Sequence, residues 1–531
     1  MTRGQLHDVA ILGGGLAGLT LALQLRRRFA DLDIVVLERR AHPVPLAAHK
    51  VGESTVEIGS HYFSDTLGLR AHLDSDHIRK FGFRFFFSEG RSDLENVTEL
   101  GVRRVLPTPT WQIDRGIFEN FLGEEARRRG IDFRDRAVVR GFDLAQDGAN
   151  HVVRLEHDGA EQRIEARWLV DASGRAGLIK RKLGLAEANG HDANAIWFRI
   201  DDRFDLDSWC GDRDWQQRCT PRERWRSTNH LCGPGYWAWL IPLGSGAHSL
   251  GIVCDAKMHP LETMNTFERS LQWFAQHQPS MARECEQRRD KLMDFLYLRG
   301  FSYGCKQVFS GDRWALTGDS GVFLDPFYSP GSDFIAIANT YVSELIALDR
   351  AGQPLAPYAR IYEQIFMSFY ENTLTLYRDQ YPMFGDAEVM PIKVIWDYTY
   401  YWGVLCQLVF QNRITDFALL GELRAELDSA ERLNRDMQRF FRRWHAQSQP
   451  RNGAVMLDQR ELDWFVAMNR GLHDELSSPA LAARLRDNIA LMHRLAAAIG
   501  RRAGRLCRGL DPAVSSGGSA SPEPSLFPLA A

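Results

Sequence analysis

The stretch that most constrains this chain is "DVAILGGGLAGLTLALQLRRR", residues 8 to 28. An apolar strand from Val9 to Leu12 runs into Gly13, Gly15 and Gly18 and continues as a helical pattern. A second apolar strand, "DIVVLERR", carries Glu38, 20 residues beyond Gly18. Glycines at this spacing let a tight turn and a helix N-terminus approach a pyrophosphate, and an acidic residue at this distance can accept from a ribose hydroxyl. The stretch therefore predicts a dinucleotide-binding βαβ unit, with Gly13, Gly15, Gly18 and Glu38 as cofactor ligands.

Two later segments read as returns to the same sheet. "ARWLVDASGR" (166 to 175) and "DRWALTGDSGVFLDPFYSPGSDFIAIANT" (312 to 340) each place a short apolar strand before a small or acidic turn. The nucleotide domain is thus expected to be discontinuous. Between about 185 and 300 the pattern is one of short alternating runs, which predicts an antiparallel sheet layer. Within it, "GYWAWLIPLG" puts Trp237 and Trp239 on one strand face, with Pro242 ending the ladder. From about 355 to 508 the pattern is helical, and the aromatic run "WDYTYYWGVLCQLVF" there reads first as a buried helix and second as a substrate wall. The resulting division is residues 1–350 for the dinucleotide-binding module, 351–510 for a helical substrate-side domain, and 511–531 for a small, proline-rich tail expected to be disordered.

Charge and composition narrow the partners. The 65 basic and 68 acidic residues leave a net charge of −3, with no Lys/Arg run long enough to follow a phosphate backbone, so nucleic acid is not an expected partner. No stretch of about 18 uncharged apolar residues appears and no signal-peptide pattern opens the chain, which predicts a cytoplasmic protein without a membrane segment. The 8 cysteines form no C-x-x-C pair, which argues against a zinc ribbon or a disulfide framework, and no metal is expected. Only one dinucleotide fingerprint is present. A flavoprotein that reduced its own flavin would usually carry a second, so FAD is the expected resident cofactor, reduced by a separate protein or by a transiently bound nicotinamide.

Five places in the chain together resemble the flavin-dependent halogenases: the Gly13/Gly15/Gly18 fingerprint, "VGEST" (51 to 55), "WQIDRGIFENFL" (111 to 122), "TGDSGVFLDPFYSPG" (317 to 331), and Trp237, Trp239, Ile241 and Pro242, which match a W-x-W-x-I-P signature. The resemblance spans about residues 8 to 340. It implies an α/β fold with an FAD-binding, Rossmann-like domain of the flavin monooxygenase type. It also implies an enzyme that uses FADH2, oxygen and halide to form hypohalous acid and halogenate an electron-rich aromatic substrate, such as an indole or phenol, free or carrier-tethered. A separate flavin reductase would deliver the reduced cofactor. The alternative on the same scaffold is a monooxygenase or reductase, neither of which needs the tryptophan signature.

Site residues follow from the resemblance residue by residue. Arg115 and Asp319 would contact FAD, and the W-x-W-x-I-P residues would separate flavin from organic substrate. Lys80, in "HIRKFGFRFFF", falls where the family places its essential lysine. Were this segment one strand, Lys80, Gly82, Arg84 and Phe86 would share one face and Phe81, Phe83, Phe85 and Phe87 the other, so Lys80 would point away from the phenylalanine layer. Where tryptophan halogenases have "EPLES", this chain has Asp325, Pro326, Phe327, Tyr328 and Ser329. Tyr328 thus takes the place of a glutamate, and the loop is closer to the phenol and carrier-protein subgroup. The halide site would use Ser329, Pro330 and Gly331, and because Pro330 has no N–H to give, bromide would be favoured over chloride.

Overall fold

The computed structural model describes residues 5–47, 51–88, 93–146, 148–449, 452–507, 510 and 524–527. The chain forms two units, each assembled from three stretches: Met1–His77, Ile113–Gly190 and Ser302–Glu371 in the first, Ile78–Gln112, His191–Phe301 and Asn372–Ala531 in the second.

The first unit is the nucleotide fold. Strand Gln5–Leu12 pairs in parallel with Ile34–Leu37 on one side and Ala160–Asp171 on the other, in register from Gln5 opposite Ile164 to Leu12 opposite Asp171. Trp314–Leu316 adds in parallel beyond Ala160–Asp171, so both expected returns join this sheet. Its strands read as near-continuous apolar runs because they are buried on both faces, as parallel sheets require. Strands Val138–Asp143 and His151–His157 extend it as an antiparallel meander. The turn between His151–His157 and Ala160–Asp171 is Asp158-Gly159, both at positive φ (50° and 76°), the conformation a two-residue hairpin needs.

The second unit is built on an eight-stranded sheet in the order Leu292–Leu298, Ala193–Ile200, His248–Asp255, Tyr236–Pro242, Thr228–Gly233, Phe83–Phe87, Thr98–Gly101, Met456–Asp458. One face buries Phe86, Leu231, Ala238, Leu240, Leu250 and Ile252 against helices Phe267–His277 and Pro279–Glu286. The other face is aromatic. Helices Val389–Tyr400, Arg424–His445 and Ser478–Leu506 make up most of the remainder. A π-helical turn, Tyr401–Cys406, continues the first of these.

The boundary between the units departs from the one expected near residue 350. The sheet of residues 193–298 groups with the later helices. The reason lies in its contacts: the aromatic face meets Tyr398 of helix Val389–Tyr400, and strand Met456–Asp458 pairs in parallel with Thr98–Gly101. The tail also differs in part. Residues 511–523 and 528–531 lie outside the described residues, but 524–527 pack down, with the Trp464 indole donating to the Ser525 carbonyl at 2.9 Å and Phe527 buried. Phe527, with Pro524 buried and Leu526 half-buried beside it, gives this piece something to bury. All 8 cysteines are buried free thiols. Among the described residues no helix is long and apolar enough to cross a membrane.

Candidate active site and cofactor cradle

In the first unit the glycine loop has the geometry a dinucleotide needs. Gly13 sits at φ +116°, and a Cβ there would fall 2.3 Å from the Ala172 carbonyl oxygen. Gly18 lets helix Leu16–Arg28 press on the loop, since a Cβ would lie 2.0 Å from the Gly13 carbonyl. Gly15 differs: a Cβ would meet no heavy atom within 4 Å. Gly15 caps the helix and no side chain caps its first turn, whose amides therefore face open space at the positive end of the helix dipole. This open cradle fits a pyrophosphate. Glu38 stands beside it, its carboxylate accepting from the N–H groups of Gly14 and Arg40, each at 2.8 Å. Two further lone-pair directions remain for ribose hydroxyls.

Asp319 follows strand Trp314–Leu316 on a short turn opened by Gly318 at φ +63°. Burial pushes its carboxyl above the ordinary range, against the pull of Arg115, Arg175 and Lys180. Arg115 starts helix Arg115–Arg128, donating to Glu119 at 2.6 Å and to the Val51 carbonyl at 2.8 Å. Sequence reasoning missed Arg175, Lys180 and Tyr303. The Lys180 ammonium lies 4.0 Å from the Tyr303 ring centre, and the Tyr303 hydroxyl donates to the Asp319 carbonyl at 2.7 Å. Arg175 and Lys180 lie in and just past "DASGR", which reads only as a strand end when taken alone.

The 325–331 loop also belongs to the first unit. The Asp325 carboxylate accepts from the Phe327 N–H at 3.0 Å, and Tyr328 packs edge-on against Phe327. Ser329 is held at φ +53°, Pro330 precedes helix Gly331–Arg350, and a Cβ on Gly331 would meet nothing within 4 Å.

The second unit brings Lys80 and the tryptophan signature onto one sheet face. Strand Tyr236–Pro242 is fully buried and does end at Pro242, opposite His248. Trp239 lies over Gly251, where a Cβ would be 2.2 Å from the indole, and donates to Ser249 Oγ at 3.2 Å. Trp237 stands 5.6 Å from Trp239, ring centre to ring centre, and donates to the Tyr381 hydroxyl at 3.2 Å. Tyr381 also accepts, through its carbonyl, from the Gly235 N–H at 2.9 Å. It therefore clamps the hairpin by side chain and backbone at once.

The expected orientation of Lys80 is corrected. Residues 78–87 are not one strand: Ile78–Arg79 and Phe83–Phe87 are separate, and Gly82 between them is at φ +74°. The left-handed residue resets the alternation, so Lys80 turns toward the phenylalanines. Its ammonium lies 3.3 Å from the Phe83 ring centre, and the side chain is 3% exposed. Phe83 and Phe85 in turn flank His230, which lies 5.1 Å from Trp237. The opposite face, carrying Arg84, holds a charge network: Arg84 bonds Glu99, and Arg224 bonds Glu99 at 3.0 Å and Asp207 at 2.5 Å, all buried.

Residues 7–270 match the model of the FAD binding domain. The chain is 24% identical over 473 residues to the flavin-dependent halogenase chlA of Dictyostelium discoideum, covering 80% of this chain and 76% of that one. It is 25% identical over 334 residues to the 1H-pyrrole-2-carbonyl peptidyl-carrier-protein brominase of Pseudoalteromonas luteoviolacea, covering 63% and 75%. The chain is thus similar to flavin-dependent halogenases over most of its length. Its fold is that of halogenase PltM, with a TM-score of 0.67 at 17% identity over 91% of this chain and 96% of that one. The chain is accordingly an FAD-dependent oxidoreductase. The open cradle at Gly15 and the acceptor at Glu38 fit that cofactor.

Proposed function

We propose that this protein is a flavin-dependent halogenase that turns halide into hypohalous acid and delivers the halogen to an electron-rich aromatic ring presented beside Lys80. The observation that carries the reading is the buried Lys80 ammonium, seated on Phe83 on the face that bears Trp237 and Trp239. Reduced FAD and oxygen supply the oxidising equivalents. The chain's own contributions are then three. Gly13, Gly15, Gly18 and Glu38 hold the dinucleotide, with Arg115 and Asp319 toward its ribityl or ribose end. Trp237, Trp239, Ile241 and Pro242 form a bulky barrier that keeps organic substrate from the flavin. Lys80 donates a hydrogen bond to hypohalous acid, fixing its halogen relative to the bound ring, so that geometry decides which carbon reacts.

Ser329, Pro330 and Gly331 form the halide site in this reading. Pro330 has no N–H, and a smaller, more strongly hydrated anion loses more when a donor is missing, so bromide is favoured over chloride. The substrate is a phenol, an indole or a related ring, free or carrier-tethered. Two observations support this class: one relative is named for a carrier-bound pyrrole, and PltM was solved with phloroglucinol and FAD. A separate flavin reductase supplies FADH2, in keeping with the single dinucleotide fingerprint. The test is incubation with FAD, a flavin reductase, NADH, both halides and a panel of indoles and phenols, read by mass spectrometry. A halogen isotope pattern is expected. A gain of one oxygen without halogen would instead establish the monooxygenase alternative.

A further inference from the structure

Replacing a ring hydrogen by halogen releases a proton, and Tyr328, a neutral phenol, is a poor base for it. Resting on the halogenase reading above, we propose that His230 is a catalytic base that takes the ring proton.

The placement carries the argument. His230 is 1% exposed, on strand Thr228–Gly233, in register with Phe85 on one neighbouring strand and Trp239 on the other. Its ring is 4.7 Å from Phe85, 5.2 Å from Phe83 and 5.1 Å from Trp237. The Phe83 ring that His230 touches is also the ring on which the Lys80 ammonium rests. The group that holds the oxidant and this imidazole therefore both contact the same phenylalanine ring.

Of the side chains placed on this face, His230 is the one suited to the task. Phe83, Phe85, Trp237 and Trp239 carry no basic atom. Thr228 and Gln112 are bonded to each other at 2.8 Å and 3.1 Å, and neither is basic. The Asp294 carboxylate is held by Arg199 through the guanidinium at 2.7 Å and the backbone N–H at 2.9 Å, on the strand at the edge of the sheet. Imidazole ordinarily titrates near neutrality, which is what an efficient proton acceptor requires.

The step balances. The ring carbon forms its bond to the halogen as the halogen–oxygen bond breaks, and the departing hydroxide leaves as water with a proton from the Lys80 ammonium. The carbon–hydrogen bond then breaks, its electron pair restores the aromatic ring, and the proton goes to His230. Proton return from the imidazolium to the Lys80 amine leaves both side chains as they began, so the sum is arene plus hypohalous acid to haloarene plus water.

The test is an isotope effect in two variants of the full-length enzyme. H230Q keeps polarity without basicity, and H230F matches the apolar neighbours. Each is run with FAD, reductase, NADH and bromide on an equimolar mixture of phenol and ring-deuterated phenol, or on the corresponding indole pair if the panel favours indoles. With the base in place the cationic ring adduct collapses forward faster than it reverts, so the parent discriminates little between the isotopes. Without it, proton loss becomes partly limiting. We expect product formation to fall by about 10²-fold in both variants, and protiated phenol to be consumed in clear preference. Product from the parent with no isotope preference in either variant overturns the role of His230 alone. Complete loss of product in both also overturns it, because water would still accept the proton at a residual rate. No halogenated product from the parent overturns the halogenase reading and this role with it.

Discussion

Gly15→Val separates the cofactor cradle from the fold that carries it. Gly15 adopts φ −85° and ψ −168°, which a residue with a side chain takes up freely, and a Cβ there meets no protein atom within 4 Å. The protein itself therefore loses little: exchanging glycine for a branched residue at a helix N-cap costs about 1 kcal/mol or less. The bound dinucleotide loses much more. A side chain in the open space before the first helical turn holds a pyrophosphate off the amides, and two hydrogen bonds to a charged group are worth about 3–6 kcal/mol together. At about 1.4 kcal/mol per tenfold, FAD affinity should fall by about 10²- to 10⁴-fold. Gly18→Ala is the contrasting variant, because its Cβ would lie 2.0 Å from the Gly13 carbonyl and must force helix and loop apart. Flavin fluorescence titration of the apoprotein reads affinity, and a thermal melt without FAD reads the fold. Gly15→Val should leave the melt in place and abolish tight FAD binding, whereas Gly18→Ala should lower both. An FAD affinity for Gly15→Val within about threefold of the parent would refute the reasoning.

Further outcomes follow from the second unit and the 325–331 loop. Lys80→Met removes a cation–π contact worth about 2 kcal/mol when desolvated but also removes a buried charge, so stability should change little while halogenation falls by more than about 10²-fold. Steady hydrogen peroxide release during the same assay would show that the flavin still turns over. For Glu99, burial alone would push the carboxyl up, yet Arg84 and Arg224 outweigh it and hold it below its ordinary range. A depressed folded pKa means that its contribution is present above the unfolded carboxyl's pKa and is lost as pH falls through the folded one. Glu99→Gln should therefore cost about 3–5 kcal/mol at neutral pH in urea titrations, with the gap to the parent shrinking toward acid. Pro330→Thr should restore an N–H and narrow the bromide preference by about tenfold or less, since one hydrogen bond to an anion is worth about 1.5–3 kcal/mol and the two halides share most of it. Equal bromide and chloride in one reaction, with both products counted, measures this, and chlorinated product in excess from the parent would refute the preference.

What could be read from the sequence is what backbone geometry demands locally. The fingerprint was legible because Gly13 and Gly18 have no room for a side chain, and the returning strands because buried parallel strands are continuously apolar. The orientation of Lys80 was not legible, since alternation holds only while φ stays negative and Gly82 resets it. Tyr381 was invisible for another reason: its bond to Trp237 spans 144 residues and joins a helical region to a strand with no pattern in common. The unit boundary was missed likewise, because strand Met456–Asp458 returns to the sheet from within a helical stretch.

The same contacts explain why the Trp237/Trp239 face is so bulky without being loose. Two indoles on adjacent same-face positions could each adopt several rotamers. Here each is fixed twice. Trp239 lies in the space that Gly251 leaves vacant and donates to Ser249, while Trp237 packs on His230 and donates to Tyr381. A large residue set against glycine on the paired strand, with each indole N–H satisfied, removes the alternative rotamers and the cost of a buried unpaired donor together. Tyr381 thereby holds the Trp237 indole in place although it lies in the helical region, one of the contacts that join the sheet to the later helices.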